Sequence, residues 1–198
     1  LCSGRDRGRP LSDDFRQLAH RCLAGDQDAM ADLVDRYRDQ VFGLCYRMLG
    51  HRQDAEDAAQ ETFVRALKSL SRWDQDRDFE PWLLAIAGNR CRSLLAVRMR
   101  RPAPAPLIAE VADERPDQTA ADNLGEEVRL ALLQVRSEYR EAFILFHEQE
   151  LSYAEIAAAM QRPLGTVKTW IHRGRSELIE RLRDRGVLEE TRYAVREI

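Results

Sequence analysis

Apolar residues recur at helical spacing along almost the whole chain, and no stretch alternates with a convincing period of two. A first helix is predicted from about Ser12 to Leu23, stopped by Gly25. Asp26 is placed to cap a second helix, DAMADLVDRYRDQVFGLCYRML, which ends at Gly50. Asp54 is expected to cap a third, DAEDAAQETFVRALKSL, whose Ala59, Phe63, Ala66 and Leu70 pack inward. The loop SRWDQDRDFEP then leads to a fourth helix that begins near Pro81, a residue suited to a first helical turn, and continues to about Arg101. Its inward stripe reads as Leu83, Ile86, Leu94 and Val97.

After Arg101 the pattern lapses. RPAPAPLIAEVADERPDQTAAD carries four prolines and almost no large apolar residue beyond Val111, which is linker composition. Helical spacing resumes over Glu126–Val135 and Tyr139–Gln149. Ser152 and Glu155 in SYAE form a capping box that opens a short helix burying Ile156, Ala157 and Met160. A break at Gln161–Pro163 precedes GTVKTWIHRGRSELIERL, where Val167, Ile171, Leu178 and Leu182 make one narrow stripe. Thr169, His172, Arg173 and Ser176 fall opposite, with Lys168 and Arg175 on the flanks. A short helix, a tight turn and a longer helix with a polar outer face make a helix-turn-helix. The fold class is therefore all-α: two small helical domains joined by a Pro-rich linker, the second a four-helix domain. The boundaries read as a disordered extension over 1–11, a first domain over 12–101, a linker over 102–122, a second domain over 123–183 and an unassigned tail over 184–198.

Charge sharpens this picture. The 198 residues sum to a net charge of −3, yet the outer face of the last helix is cationic and rich in hydroxyls. A DNA major groove presents acceptors at base edges between walls of phosphate, so a face entering it needs such groups. Lys168, Arg173 and Arg175 can neutralise phosphate or reach guanine, and Thr169 and Ser176 are short donors that permit close approach. Trp170, near the edge of the buried stripe, reads as packing. From Arg90 to Arg101 there are five arginines and no acid, whereas acids outnumber bases from Asp54 to Glu80. Two partners of opposite charge, or two solvated faces, account for that split.

The first domain leaves alternatives open. Trp73, Phe79 and Trp82 are dense for a chain with 7% aromatics, and Asn89, Ser93 and Arg100 share one side of the fourth helix. Such a set suits single-stranded nucleic acid, with bases stacking on rings and guanidinium groups holding phosphates. The same aromatics also suit a core plug: Trp82 reads as packing, and Trp73 fits either role. Arg90 falls inside the apolar arc and needs an acidic partner or a snorkelling path. On the third helix Asp57, Gln60 and Glu61 share a side that is either solvated or a docking face, and Glu61 and Arg65 have the favourable i,i+4 order.

Other chemistry is disfavoured. Cys2, Cys22, Cys45 and Cys91 include no CxxC pair and read as free thiols, three of them in helices. His147-Glu148 lacks the second histidine of a zinc helix, since position 151 is Leu. With no phosphate loop and no nucleophile–base pair, we expect no catalytic residue, metal or cofactor, and no enzyme. Apolar runs such as Ala142–Phe146 are too short to cross a bilayer, and no leader pattern opens the chain, so a cytoplasmic protein is expected.

Three motifs in this order, DAEDAAQETFVRAL, FEPWLLAIAGNR with its Arg-rich end, and LSYAEIAAAMQRPLGTVKTWIHRGRSEL, resemble bacterial extracytoplasmic-function (ECF) sigma factors across roughly Leu18–Leu182. The resemblance implies a subunit that binds core RNA polymerase, recognises minus-thirty-five and minus-ten promoter elements and promotes strand opening. It assigns Asp54, Asp57, Gln60 and Glu61 to the polymerase clamp. Minus-ten single strand falls to Trp73, Asn89, Arg92, Ser93 and Arg100, and minus-thirty-five duplex to Lys168, Thr169, His172, Arg173 and Arg175. An anti-sigma protein is the implied regulator. Gly88, where the family often has a larger and basic residue, departs from the pattern, as do Arg136-Ser137-Glu138, Trp170 and His172. The rival readings are a dimeric helix-turn-helix regulator and a helical adaptor that never touches DNA.

Overall fold

The computed structural model describes residues 13–100 and 120–188. Among these residues there are eight α-helices and no strand: α1 (Asp13–Leu23), α2 (Gln27–Leu49), α3 (Arg52–Ser69), α4 (Phe79–Arg100), α5 (Ala120–Gln134), α6 (Ser137–His147), α7 (Tyr153–Met160) and α8 (Leu164–Asp184). A single 3₁₀ turn, Leu70–Arg72, links α3 to the loop before α4. The extension over 1–11, nearly all of the expected linker and the end of the tail lie outside the described residues; α5 begins three residues before the expected domain start at 123.

Local chemistry sets several of these ends. The Asp26 carboxylate accepts from the backbone N–H groups of Asp28 (3.0 Å) and Ala29 (3.1 Å), capping α2. The Ala29 bond and Arg21 hold that carboxyl below its usual range. Gly50 closes α2 in the left-handed conformation (φ 75°), where its N–H bonds Tyr46 O and a side chain is rarely tolerated. One expected cap is not made. Helix α3 starts at Arg52 with His51 in the capping position, and Asp54 turns sideways to pair with Arg98 and, at 3.4 Å, with His51.

In the front helices, α2 supplies the centre of the core through Leu33, Val41, Leu44, Cys45 and Met48. Small residues on α3, Ala55, Ala58 and Ala59, let it approach closely, and Phe63 fills the gap further along. Helix α4 corrects the expected stripe: Leu83, Leu84, Ala87, Gly88 and Cys91 are buried, Ile86 and Leu94 only half so, and Val97 is 48% exposed. Because α4 is apolar on nearly every side over its first half, periodicity alone could not select the inward face. Cys22, Cys45 and Cys91 are free and buried, as expected, and a hydrogen bond with Cys45 and burial push the Cys91 thiol up.

In the rear helices the expected α8 stripe of Val167, Ile171, Leu178 and Leu182 is buried. Gly174 lies in the same stripe, and a Cβ there would stand 2.8 Å from Tyr139 O and 3.3 Å from Phe143 Cβ. This close approach lets α8 lie directly on α6. The capping box of α7 is complete, with Ser152 Oγ accepting from Glu155 N (3.2 Å) and Glu155 accepting from Ser152 N (2.7 Å). α7 buries Ile156, Ala159 and Met160, with Ala157 half-buried, and Gln161 (φ 53°) turns the chain into α8.

The two sets touch, α4 against α7 and α2 against α5 and α6. Arg129 of α5 donates to Gly50 O (3.1 Å) and lies over the Tyr46 ring (5.2 Å to its centre). Arg47 pairs with Glu148, and Arg92 with Glu141.

Candidate nucleic-acid and polymerase interfaces

The rear site is the outer face of α8. Burying Val167, Ile171, Gly174 and Leu178 leaves Lys168, Thr169, His172, Arg173, Arg175 and Ser176 all exposed on the side away from the core. The structure therefore brings all five duplex candidates onto one surface. Arg173 is held in place: its Nη1 donates to the Tyr139 hydroxyl (3.0 Å), and its guanidinium lies 5.9 Å from that ring's centre. Lys168 Nζ sits 5.6 Å from the centre of the Tyr153 ring, so α7 and α6 both orient cations of α8. Both hydroxyls donate inward, Thr169 to Gly165 O (2.9 Å) and Ser176 to His172 O (3.1 Å). What they turn outward is an acceptor, until the hydroxyl rotates. Arg162, exposed at the turn and 5.9 Å from the centre of the Trp170 ring, extends the cationic surface; its place beside the break was visible in the sequence but was not read as a contact. Trp170 itself is half-buried against Tyr139 (6.3 Å between ring centres), as packing requires.

The front site is divided. Asn89, Ser93 and Arg100 are exposed on one side of α4, with Ser93 Oγ donating to Asn89 O (2.9 Å). Arg92 is half-buried between them, donating from Nη2 to Asn89 Oδ1 and from Nη1 to Glu141 Oε1. Trp73 requires a correction. It is 5% exposed and packs nearly perpendicular to Phe15 (5.6 Å, 84°) and Phe79 (5.3 Å, 89°), so its ring is enclosed in the core. Aromatic burial outweighs display here because Phe15, Tyr37 and Phe79 already form an apolar cluster that the indole completes. The loop beyond it is held by Asp74, whose Oδ1 accepts from Asp76 N (3.1 Å) and which pairs with Arg77 (3.2 Å). This loop, with Pro81, Trp82 and Ala85, forms one wall of a cleft of about 840 Å³ whose opposite wall is Ala154, Glu155 and Ala158 of α7.

The acidic face of α3 also divides. Asp57 and Gln60 are exposed, whereas Asp54 and Glu61 are half-buried and committed within the chain. Asp54 meets Arg98, and Glu61 meets both Arg65 (2.9 Å) and Arg90 (2.6 Å). The last pair supplies the acidic partner that Arg90 needs inside the apolar arc. Val64, 47% exposed and one turn beyond Gln60, adds an apolar spot to this face that the sequence reading had not singled out. Among the described residues no group of side chains could hold a metal ion, and no helix is long and apolar enough to cross a membrane.

An all-helical chain with a helix-turn-helix, a displayed cationic recognition face and a second, polar helix face belongs structurally among DNA-binding transcription factors. The Sigma-70 region 2 family model matches residues 33–101, and the Sigma-70, region 4 model matches residues 125–178. The ECF RNA polymerase sigma factor SigW of Bacillus subtilis (strain 168) is 40% identical over 176 residues, covering 81% of this chain and 92% of the relative. The RNA polymerase sigma-H factor of Pseudomonas aeruginosa is 33% identical over 175 residues, covering 82% of this chain and 91% of the relative. Among solved structures, CnrH in complex with the cytosolic domain of CnrY superposes with a TM-score of 0.65 at 28% identity, over 85% of this chain and 97% of that one. The sigma factor RpoE in complex with the anti-sigma factor NepR from Bartonella quintana, at 24% identity and a TM-score of 0.63, shares the fold over 86% of this chain and 98% of that one. The chain belongs to the ECF RNA polymerase sigma factors and acts in transcription initiation.

Proposed function

We propose that the two helix sets work as separate modules, over 12–101 and 123–183, that grip one promoter at different places. In this reading α8 enters the minus-thirty-five major groove with Lys168, Thr169, His172, Arg173 and Arg175. Helix α4 and its loop meet the unpaired minus-ten strand through Asn89, Arg92, Ser93 and Arg100. Trp73 supports that loop from beneath instead of stacking on a base. Asp57 and Gln60, with Val64, dock on the polymerase clamp, while Asp54 and Glu61 brace α3 against α4. The observation that carries this reading is the α8 face, where all five candidates are exposed together and Arg173 is oriented by Tyr139.

The protein then has no chemistry of its own and works in the cytoplasm by directing core polymerase. CnrH, similar in fold and sequence, is seen with the cytosolic domain of CnrY, which supports a protein partner here as well, and membership of the ECF sigma factors makes an anti-sigma protein the partner to expect. Run-off transcription with purified core enzyme tests the module assignment. Arg173→Ala should reduce occupancy of promoter duplex, whereas Asn89→Ala should leave occupancy and reduce opening or alter minus-ten preference. If neither change affects transcription, the site assignments are wrong.

A further inference from the structure

Glu141 is the residue that the promoter-binding reading leaves unused. It belongs to α6 of the rear set and is 1% exposed, yet its carboxylate is aimed at the front set. Oε1 takes the Nη1 of Arg92 on α4, and Arg92 in turn holds the side-chain oxygen of Asn89. The carboxylate reaches this position only because residue 88 is glycine. A Cβ there would collide with Oε1 and stand 3.1 Å from Cδ. Gly88 thus lies at the point where a side chain would block this contact. Nearby, α7 forms the far wall of the cleft in front of the loop, and Arg47–Glu148 and Arg129–Gly50 tie the same two sets together.

We infer that Glu141, seated on Gly88 and paired with Arg92, is a latch that closes the rear helices over the strand-reading side of α4 in the free chain. The inference rests on the reading of Asn89 and Arg92 as strand contacts. Arg92 cannot hold a phosphate while its guanidinium is committed to Glu141 and Asn89. A buried ion pair contributes little net stability, because desolvation offsets most of its attraction, whereas both charges regain water on separation. Such a contact suits a reversible closure better than a permanent interface. The chain would bind a single strand weakly until polymerase holds the two sets apart.

Small-angle scattering of the full chain, paired with titration of a fluorescent single-stranded oligonucleotide carrying the minus-ten sequence, tests this. Glu141→Ala removes the latch from the rear side, and Gly88→Ala displaces it from the front, so misfolding of one variant leaves the other; circular dichroism verifies the helices of each. Both should raise the radius of gyration. Strand affinity should rise by about tenfold if the closed form outnumbers the open by about ten to one. Transcription by Glu141→Ala with saturating core enzyme should match the unaltered chain. Variants as compact as the unaltered chain overturn the latch, and expanded variants that bind the strand no better overturn its masking role. Asn89→Ala in the transcription assay separates the two failures: normal opening there means that the strand-contact reading is at fault, whereas defective opening leaves that reading intact.

Discussion

Arg173 and Trp73 look equally suited to nucleic acid in the sequence, yet the first is exposed and the second buried. The arginine is exposed but not loose, because the Tyr139 hydroxyl and ring hold its guanidinium on the outer face of α8. Arg173→Ala should weaken promoter-duplex binding by about 1–3 kcal/mol if it reads a base, or flatten the salt dependence by about one charge if it holds a phosphate. Tyr139→Phe, which removes one hydrogen bond and keeps the ring, should weaken binding by about 0.5–1.5 kcal/mol. Gel shifts across a salt series, with core enzyme present, read both. The tryptophan is enclosed by Phe15 and Phe79. Trp73→Ala should therefore destabilise the front helices by about 3–5 kcal/mol in denaturant unfolding. A variant of unchanged stability that opens promoters poorly would restore the stacking role. The sequence could not make this distinction, since exposure of a loop aromatic depends on Phe15, some sixty residues earlier in the chain.

Helix ends and helix faces differed in how far they could be read. Caps made by neighbours in sequence were legible: Asp26, Gly50 and the Ser152–Glu155 box are all where the pattern placed them. The Asp54 cap was not, because its competitor Arg98 lies on another helix. The inward face of α8 was legible from four apolar residues at helical spacing, whereas α4, apolar nearly all round, needed its partners to choose a side. Ser152→Ala should cost about 1 kcal/mol, seen as a lower unfolding midpoint, because it removes one half of the box that starts α7. Gly174→Ala is the more severe test, since the added methyl meets backbone at Tyr139, which cannot swing aside. Overpacking of this kind costs about 1–3 kcal/mol and should reduce duplex binding as well, by tilting α8.

At the scale of the whole molecule, the contact between the helix sets could not be read from periodicity, because Glu141 looks like any polar residue on a helix until Gly88 is placed beneath it. Burial pushes its carboxyl above the usual glutamate range, with Arg92 and Arg140 acting against that shift and Glu138 with it. Gly88 and Cys91 complete the surroundings on α4, and burial also lowers Arg140 to about 10. A carboxyl whose pKa is raised in the closed form binds its proton more tightly there than when open to water. Closure is therefore favoured at low pH and weakened as pH rises through the raised value. The free chain should expand as pH rises in scattering, and Glu141→Ala should reduce that dependence, with Glu148, raised by burial and paired with Arg47 across the same contact, carrying the rest. Expansion on acidification would show that the ion pair, not desolvation, governs closure.

The central claim is that one chain seats α8 in intact duplex while α4 handles an opened strand. Permanganate footprinting tests it most directly, on a promoter selected from randomised upstream DNA with core RNA polymerase present. The account predicts reactive thymines near minus ten only when chain and core are both present. In a parallel nuclease footprint Arg173→Ala should lower upstream protection, whereas Asn89→Ala should keep that protection and lower the thymine reactivity. Tight, dimeric operator binding by the chain without polymerase, and no reactive thymines with it, would contradict the account.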